Sequence, residues 1–300
     1  MNEAIAPHVG PAGLDIAYEV LGDPAHPTVL LCMGLAAQMV HWNDGFLDAL
    51  LARDLRLVRF DNRDAGHSTH LHDAPPADLP AALAGDYSSA SYTLSDMAAD
   101  AIGLLDHLGI DSVHAVGASL GGALAQTLAL EHPDRVRSLT SMMSTTGDPS
   151  VGQAHPATLK GLFGGPRVVT REDAVERALR GARITGSPRY PRSPDELART
   201  AALAWDRDHD EPSVVRQAVA SVASGDRTEA LRTLVLPTLV VHGLADTLAD
   251  PSGGRATAAA IPGSTLLLFE GMGHDLPREL WDPIVDAIAA VVERGERVRA

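Results

Sequence analysis

The sequence predicts an α/β fold in which a mostly parallel sheet carries helices on both faces. Short runs rich in Val, Leu and Ile alternate with longer stretches of helical periodicity along most of the chain. Continuous apolar runs of this length are typical of strands buried on both faces, and strand–helix alternation favours parallel pairing. The predicted strands are residues 28–33, 55–60, 113–116, 136–143, 238–241 and 265–269, and the alternating run 14–20 is expected to form an edge hairpin strand.

Helix signals follow several of these runs. Thr93 is suited to cap a helix whose apolar side chains recur on one face, and Gly109 ends that helix. Proline or glycine punctuation bounds the others in the same way. The predicted helices cover residues 93–108, residues 120–131, a segment that begins at 250–251, and about residues 277–296.

Residues 147–228 break the strand–helix rhythm. This block is rich in proline and glycine and contains helical segments over 172–180 and 194–206, the second with Ser193 as its N-cap. We interpret it as a helical cap inserted into a core formed by residues 1–146 and 229–300. An independent domain is less favoured, because the block is short and returns directly to a predicted strand.

Composition and charge exclude several classes of partner. The formal net charge of −15 disfavours nucleic acid and anionic membranes, which bind clustered Lys and Arg. No apolar run approaches the roughly 18 residues of a membrane span, and the first residues lack the pattern of a signal peptide. A single cysteine, Cys32, excludes an intrachain disulfide, so a cytoplasmic location is expected. Nothing in the sequence indicates the oligomeric state.

The segment AVGASLGGAL, residues 115–124, places Ser119 between Gly117 and Gly121. Gly-x-Ser-x-Gly between a strand and a helix is the pattern of a nucleophile elbow, where a sharp turn lifts the serine hydroxyl above the sheet. A plain tight turn is one alternative. A phosphate-binding loop is another, but it needs a lysine after the last glycine, and none is present.

A serine hydroxyl becomes a good nucleophile only when a base takes its proton. In this architecture the acid and the histidine follow the serine in that order, on loops after later strands. Asp246 and His274 occupy such positions, directly beyond the runs 238–241 and 265–269. Asp250 is a competing acid that fits a helix start better, and His242 is a competing base on the acid's own loop. Asp275, next to the histidine, is expected to face outward.

The tetrahedral oxyanion needs hydrogen-bond donors as well. The backbone N–H of Leu120, directly after the nucleophile, is the first expected donor. The second is expected in the loop after the first buried strand, where Gly34 allows a tight turn that directs the N–H of Leu35 into the site. Only the backbone is required there, so leucine is acceptable at both positions.

With these residues in place, the chain resembles the α/β-hydrolase superfamily over nearly its whole length. Within it, residues 60–69 and 270–274 are similar to the aclacinomycin methylesterase group, and Met33-Gly34 replaces the His-Gly of many other members. The resemblance implies an α/β-hydrolase sheet and no cofactor. It assigns the nucleophile, acid and base to Ser119, Asp246 and His274, and the oxyanion hole to Leu35 and Leu120. It also implies that Asp61 and Arg63 brace the loop beside the site.

Three further features have mainly structural interpretations. The run 67–73, which contains His67, His70, His72 and Asp73, has metal-ligand spacing, but no matching ligand pair stands out elsewhere. A solvated loop without a metal is the favoured interpretation. Cys32, on a buried strand, is expected to be inert. Six side chains are predicted to line an apolar substrate pocket, with core packing as the alternative for each: Met39, Trp42, Met142, Phe163, Trp205 and Met272.

The expected reaction is cleavage of a carboxylic ester of a small molecule through an acyl-enzyme. The resemblance points to a bulky natural-product ester, such as a polyketide methyl ester or a macrolactone. The same triad also serves C–C bond hydrolases and cofactor-free perhydrolases. A ligand receptor of the same fold is a non-enzymatic alternative, but no partner-binding stripe is visible in the sequence.

Overall fold

A computed structural model describes residues 2–298, apart from the side chain of Phe163. Its centre is an eight-stranded sheet with the strand order β1-β2-β4-β3-β5-β6-β7-β8. From β3 to β8 all neighbouring strands are parallel, which confirms the predicted α/β sheet. The strands are β1 Ala4–Val9, β2 Leu14–Leu21, β3 Thr28–Cys32, β4 Arg56–Phe60, β5 Val113–Ala118, β6 Val136–Met142, β7 Thr238–Gly243 and β8 Thr265–Phe269.

The antiparallel end of the sheet differs from the prediction. Strand β2 was expected at the edge, but it pairs antiparallel with both β1 and β4 and is therefore internal. The edge strand is β1, which the sequence did not predict because it contains Pro7 and buries only Ala6 and Val9. Proline is tolerated on an edge strand, where one N–H row has no partner.

Helices cover both faces of the sheet, as predicted. None of those described between residues 2 and 298 is long and apolar enough to cross a bilayer. The helices are α1 Asp44–Leu51, α2 Leu79–Leu83, α3 Leu94–His107, α4 Leu120–Glu131, α5 Pro156–Phe163, α6 Arg171–Thr185, α7 Pro194–Arg207, α8 Glu211–Ala223, α9 Thr228–Leu231, α10 Ser252–Ala260 and α11 Trp281–Val298.

Most of the core lies in two large apolar clusters, one on each face of the sheet, and a third, small cluster contains Met39, Val40 and Ala204. Successive residues of β3 alternate between the two large clusters, because side chains along a strand point to opposite faces. Leu30 packs with the cluster that includes α3 and α4. Leu31 packs with the cluster that includes α1 and α11. Helix α4 is buried almost throughout its length, so the segment that follows Ser119 is held firmly against the sheet.

Helices α5 to α8 lie within the block 147–228 between β6 and β7. The predicted helical segments 172–180 and 194–206 correspond to α6 and α7, and Ser193 accepts a hydrogen bond from the Glu196 N–H as the N-cap of α7. The division into a cap over 147–228 and a core over 1–146 and 229–300 stays a prediction.

A buried ion pair joins α8 to the loop after β4. The Arg216 guanidinium donates to both carboxylate oxygens of Asp64, at 2.9 and 2.7 Å. Asp64 also accepts from the Tyr92 hydroxyl and the Leu71 N–H. Burial by itself would raise the pKa of Asp64, but these hydrogen bonds, that from Arg216 foremost, bring the pKa below its usual range.

Replacement of Asp64 with Asn is expected to lower the free energy of unfolding by about 3 kcal/mol. It removes the carboxylate that makes both short contacts with the buried Arg216 guanidinium and leaves Asp210, at 3.5 Å, as its remaining acidic partner. Asn tolerates the left-handed backbone at this position (φ 61°). Since the folded-state pKa is depressed, the ion pair stabilises the protein fully above the unfolded-chain pKa of about 3.9. The effect declines as the pH falls below that value and is lost as the pH passes through the lower folded-state pKa. Urea unfolding at neutral and acidic pH measures both effects.

The exposed Asp73 of the same loop provides the control. Its replacement with Asn should change the unfolding free energy by less than about 0.5 kcal/mol. Equal losses at Asp64 and Asp73 would mean that the ion pair does not hold α8 in place.

Candidate active site

Ser119 lies at the junction of β5 and α4 with φ 57° and ψ −121°, a left-handed conformation that is strained for a residue with a side chain. The turn needs glycine on both sides. A Cβ on Gly117 would lie 1.9 Å from the Gly121 carbonyl oxygen, and one on Gly121 would lie 2.0 Å from the Cys32 carbonyl oxygen. Both approaches are sterically impossible, so the Gly-x-Ser-x-Gly spacing is dictated by backbone packing.

A line of hydrogen bonds joins the three residues predicted as a triad. His274 Nε2 is 3.0 Å from Ser119 Oγ, and His274 Nδ1 is 2.7 Å from Asp246 Oδ2. The carboxylate can only accept, so Nδ1 carries the proton and the Nε2 lone pair faces the serine hydroxyl. Asp246 follows β7 and His274 follows β8, so the carboxyl ends of parallel strands bring together residues that lie far apart in the chain.

Asp246 is held as a carboxylate. Burial would raise its pKa, but hydrogen bonds from His242 and His274 outweigh this effect and bring the pKa well below its usual range. Its Oδ1 also accepts from the N–H groups of Leu248 and Ala249, at 2.9 Å each. A permanent negative charge is therefore fixed behind the imidazole of His274.

The alternative base and acid considered from the sequence, His242 and Asp250, make different contacts. The His242 ring is fully buried, with Nε2 2.8 Å from the Ala249 carbonyl oxygen and 3.4 Å from Asp246 Oδ2. The His242 ring therefore supports the carboxylate of Asp246. Asp250 accepts from the Ser252 N–H at the start of α10, as a helix-start residue does.

The expectation that Asp275 faces outward is wrong. Asp275 is half-buried and accepts a hydrogen bond from the Ser187 hydroxyl, and burial raises its pKa. Ser187 Oγ also accepts from the Gly273 N–H, and the His274 N–H donates to the Thr185 carbonyl at 2.7 Å. The end of α6 thus holds the histidine loop, an interaction that the sequence alone did not indicate.

The loop after β3 approaches the serine closely. A Cβ on Gly34 would lie 3.1 Å from the Ser119 Cβ, so the backbone of this loop runs directly beside the serine. Leu35, the next residue, is 37% exposed. Within residues 2–298, neither the Leu35 N–H nor the Leu120 N–H donates a hydrogen bond to another protein group. Both are free to serve as donors, and their assignment as the oxyanion hole stays a prediction.

Gln217 of α8 holds the far side of this loop, which sequence reasoning missed. Its Oε1 accepts from the Ala36 N–H at 3.1 Å, and its Nε2 donates to the Arg63 carbonyl at 2.8 Å. Ala36 has φ 59°, so this fully buried carboxamide supports a strained residue beside Leu35. No sequence pattern connects positions so far apart in the chain.

Asp61 and Arg63, which were expected to brace the loop beside the site, both form buried hydrogen bonds and ion pairs. Asp61 accepts from the Met39 N–H at 2.6 Å and forms an ion pair with Arg207 of α7. Burial raises its pKa. Arg63 pairs with Asp100 through contacts of 2.6 and 2.7 Å. These bonds fix the loop after β4, which lies beside the loop after β3.

The predicted pocket residues are mostly deep in the core. Trp42, Met142 and Met272 belong to the apolar cluster that includes α1 and α11, and Met39 is buried beside Ala204 of α7. Trp205 is half-buried and stacks on His209, while the side chain of Phe163 lies outside the described part. Their role as pocket lining stays a prediction. Burial raises the pKa of Cys32 to about 12, as an unreactive thiol requires.

A mostly parallel sheet with a strained serine at a strand–helix turn, hydrogen-bonded to an imidazole and through it to a carboxylate, is the architecture of the α/β hydrolases. The chain belongs to the alpha/beta hydrolase fold family, which matches residues 27–277.

Two curated relatives cover nearly the whole chain. Rhodomycin D methylesterase DnrP of Streptomyces peucetius is 30% identical over 292 residues, which cover 91% of this chain and 93% of the relative. Rhodomycin D methylesterase DauP of Streptomyces sp. (strain C5) matches with the same identity and coverage. Among solved structures, the enol-lactonase from Burkholderia xenovorans LB400 superposes with a TM-score of 0.72 at 23% identity, over 97% of this chain and 100% of that one. This last similarity supports the fold alone.

Proposed function

We propose that the protein is a serine esterase that cleaves a carboxylic ester through an acyl-enzyme. The observation that carries the proposal is the hydrogen-bonded line from Ser119 Oγ through His274 to Asp246. Family membership and two methylesterase relatives at 30% identity support ester hydrolysis as the reaction type. Other reactions in this family can use the same three groups, so the reaction type rests on both lines of support together.

In the proposed mechanism His274 Nε2 takes the hydroxyl proton of Ser119 as Oγ forms a bond to the ester carbonyl carbon. Asp246 keeps the imidazole in the required tautomer and stabilises its positive charge. The N–H groups of Leu35 and Leu120 hold the oxyanion, and loss of one such donor commonly costs about 3 kcal/mol. His274 then protonates the departing alcohol as the C–O bond breaks. Water repeats the sequence at the acyl-enzyme and releases the acid and free Ser119.

We further propose a bulky natural-product ester as the substrate, with the methyl ester of a polyketide as the first candidate. The support is the similarity to rhodomycin D methylesterases and the position of the helical block 147–228. This block contacts the histidine loop through Thr185 and Ser187, at and just after the end of α6, and the loop after β3 through Gln217 of α8. A panel of methyl esters graded by acyl size, assayed by release of methanol, tests this choice. Higher kcat/KM for the polycyclic acyl groups is expected, and turnover of short acyl chains alone would overturn it.

C–C bond hydrolysis and perhydrolysis by the same triad are the alternatives. An assay of a vinylogous diketone, and one of peracid formation from acetate and hydrogen peroxide, separate them from ester cleavage. A kcat/KM for either reaction above that for the best ester would replace the proposed activity.

Gln217→Met is expected to lower kcat about tenfold and leave KM nearly unchanged. Removal of the carboxamide frees the strained Ala36 to relax and displaces the neighbouring Leu35 N–H, so part of one oxyanion donor's contribution of about 3 kcal/mol is lost. A transition-state analogue such as a boronic acid should bind correspondingly more weakly. Steady-state kinetics and inhibitor titration measure both effects.

Gln126→Met is the matched control. Gln126 is also a fully buried glutamine with two side-chain hydrogen bonds, to Ser141 and from Arg227, but neither involves the loop after β3. Its replacement should reduce stability without the kcat effect. Parallel losses of kcat in both variants would show that Gln217 acts only on overall stability.

A further inference from the structure

A cluster of two histidines and an aspartate forms where the loop after β4 meets the start of α8. Asp210 Oδ2 is 3.5 Å from His70 Nδ1 and 3.7 Å from His72 Nδ1. The three ligand atoms all lie within 4.8 Å of one another. In the part of the chain described, none of these side chains is hydrogen-bonded to Ser119, Asp246 or His274, so the cluster is separate from the proposed triad.

The His70 ring is oriented as a metal-ligating imidazole usually is. Its Nε2 is 3.1 Å from the Gly66 carbonyl oxygen, which can only accept, so Nε2 carries the proton of the neutral ring. The lone pair on Nδ1 therefore faces the Ser213 hydroxyl oxygen, 2.8 Å away, with Asp210 Oδ2 behind it at 3.5 Å. Donation of the second ring N–H to a carbonyl is the common way in which proteins fix the tautomer of a histidine ligand.

The cluster has more acceptors than protons. Ser213 has one hydroxyl hydrogen, and its Oγ lies near His70 Nδ1, Asp64 Oδ1 and an oxygen of Asp210, while already accepting from Arg216. Arg216 makes its shorter contacts with Asp64 and lies 3.5 Å from Asp210. Asp208 adds a further carboxylate, 3.6 Å from His70 Nε2. Asp64, Asp208 and Asp210 thus place three carboxylates around one guanidinium, so the cluster carries net negative charge when both histidines are neutral, which favours a bound cation.

We propose that His70, His72 and Asp210 bind a zinc ion that fastens the start of α8 to the loop after β4. Two imidazole nitrogens and one carboxylate oxygen are a ligand set that Zn²⁺ accepts, with water in the fourth position. Tetrahedral bonds of about 2.0 Å place ligand atoms roughly 3.3 Å apart, a few tenths of an ångström closer than the two separations to Asp210.

The remaining adjustment falls on the side chain that is free to make it. His72 is 70% exposed, whereas His70 and Asp210 are 12% and 22% exposed. A cleft of about 450 Å³ beside the cluster, lined by residues 69–75 and 88–91, provides access for the hydrated ion and room for its water ligand. From the sequence, a solvated loop was the favoured interpretation of the run 67–73. The third ligand, Asp210, lies far along the chain in the block 147–228, so no local pattern connects it with the two histidines.

Zinc titration of the chelator-treated protein, followed by calorimetry, tests the site. We expect one Zn²⁺ per chain, at least tenfold weaker binding in His72→Ala and in Asp210→Asn, and unchanged binding in His26→Ala, which removes a histidine paired with a different carboxylate. Co²⁺ should give the visible absorption of a low-coordinate site in the wild type and lose it in His72→Ala.

Thermal unfolding gives a second measurement, since a ligand that binds only the folded state raises its stability. Zn²⁺ should raise the melting temperature of the wild type and of His26→Ala but not that of His72→Ala. Metal-free His72→Ala should retain wild-type hydrolysis of p-nitrophenyl esters. The proposal is overturned by the absence of saturable Zn²⁺ binding, or by binding that His72→Ala and His26→Ala share equally.

Discussion

Ser119→Ala is expected to lower kcat for p-nitrophenyl ester hydrolysis by about five to six orders of magnitude in a protein that remains folded. The variant removes the oxygen that lies 3.0 Å from His274 Nε2 and with it the only route to the acyl-enzyme. Removal of the nucleophile from a triad costs about as much as removal of the whole triad, because its members act as a unit. Stopped assays at high enzyme concentration measure the residual rate.

Two controls test whether the loss of activity in Ser119→Ala reflects loss of the nucleophile rather than misfolding. The far-ultraviolet circular dichroism and melting temperature of Ser119→Ala should match the wild type, since alanine accepts the same backbone strain as serine. Ser95→Ala, a substitution at an exposed position on α3, should keep full activity. Turnover by Ser119→Ala within tenfold of the wild type would remove the proposed mechanism.

Asp246→Asn is expected to lower kcat by about 10⁴-fold. The asparagine amide can donate to His274 Nδ1, which moves the ring proton to Nε2 and leaves no lone pair for the Ser119 hydroxyl. Its side-chain oxygen can still accept from the N–H groups of Leu248 and Ala249, so the loop after β7 should keep its shape. Steady-state kinetics separate this effect from binding, because KM should change little.

Asp250→Asn is the matched control on the same loop. Asp250 is the alternative acid considered from the sequence, and it accepts from the Ser252 N–H. Its loss should change kcat by no more than a few-fold. A severe loss in Asp250→Asn together with an active Asp246→Asn would reverse the assignment of the acid.

The strands of the parallel part were predicted within one or two residues of their observed ends, because apolar runs buried on both faces leave a strong local signal. Strand β1 was missed, since an edge strand needs few apolar residues and tolerates Pro7. The triad candidates Ser119, Asp246 and His274 were proposed from their order and their positions after strands. The contacts of Asp275, Gln217 and Asp210 were not, because each has its partner on an element distant in sequence.

By itself, the sequence determined the local chemistry: which runs form buried strands, where glycine permits a strained turn, and which residue types follow each strand. These properties depend on side-chain volume, periodicity and backbone freedom within a few residues. Only the tertiary structure decided the contacts between the helices of the block 147–228 and the loops of the sheet, including the hydrogen bond of Gln217 with Ala36 and the position of the Asp210 carboxylate beside two histidines. Such contacts depend on how separate elements pack in space, and the spacing of residues along the chain does not determine that packing.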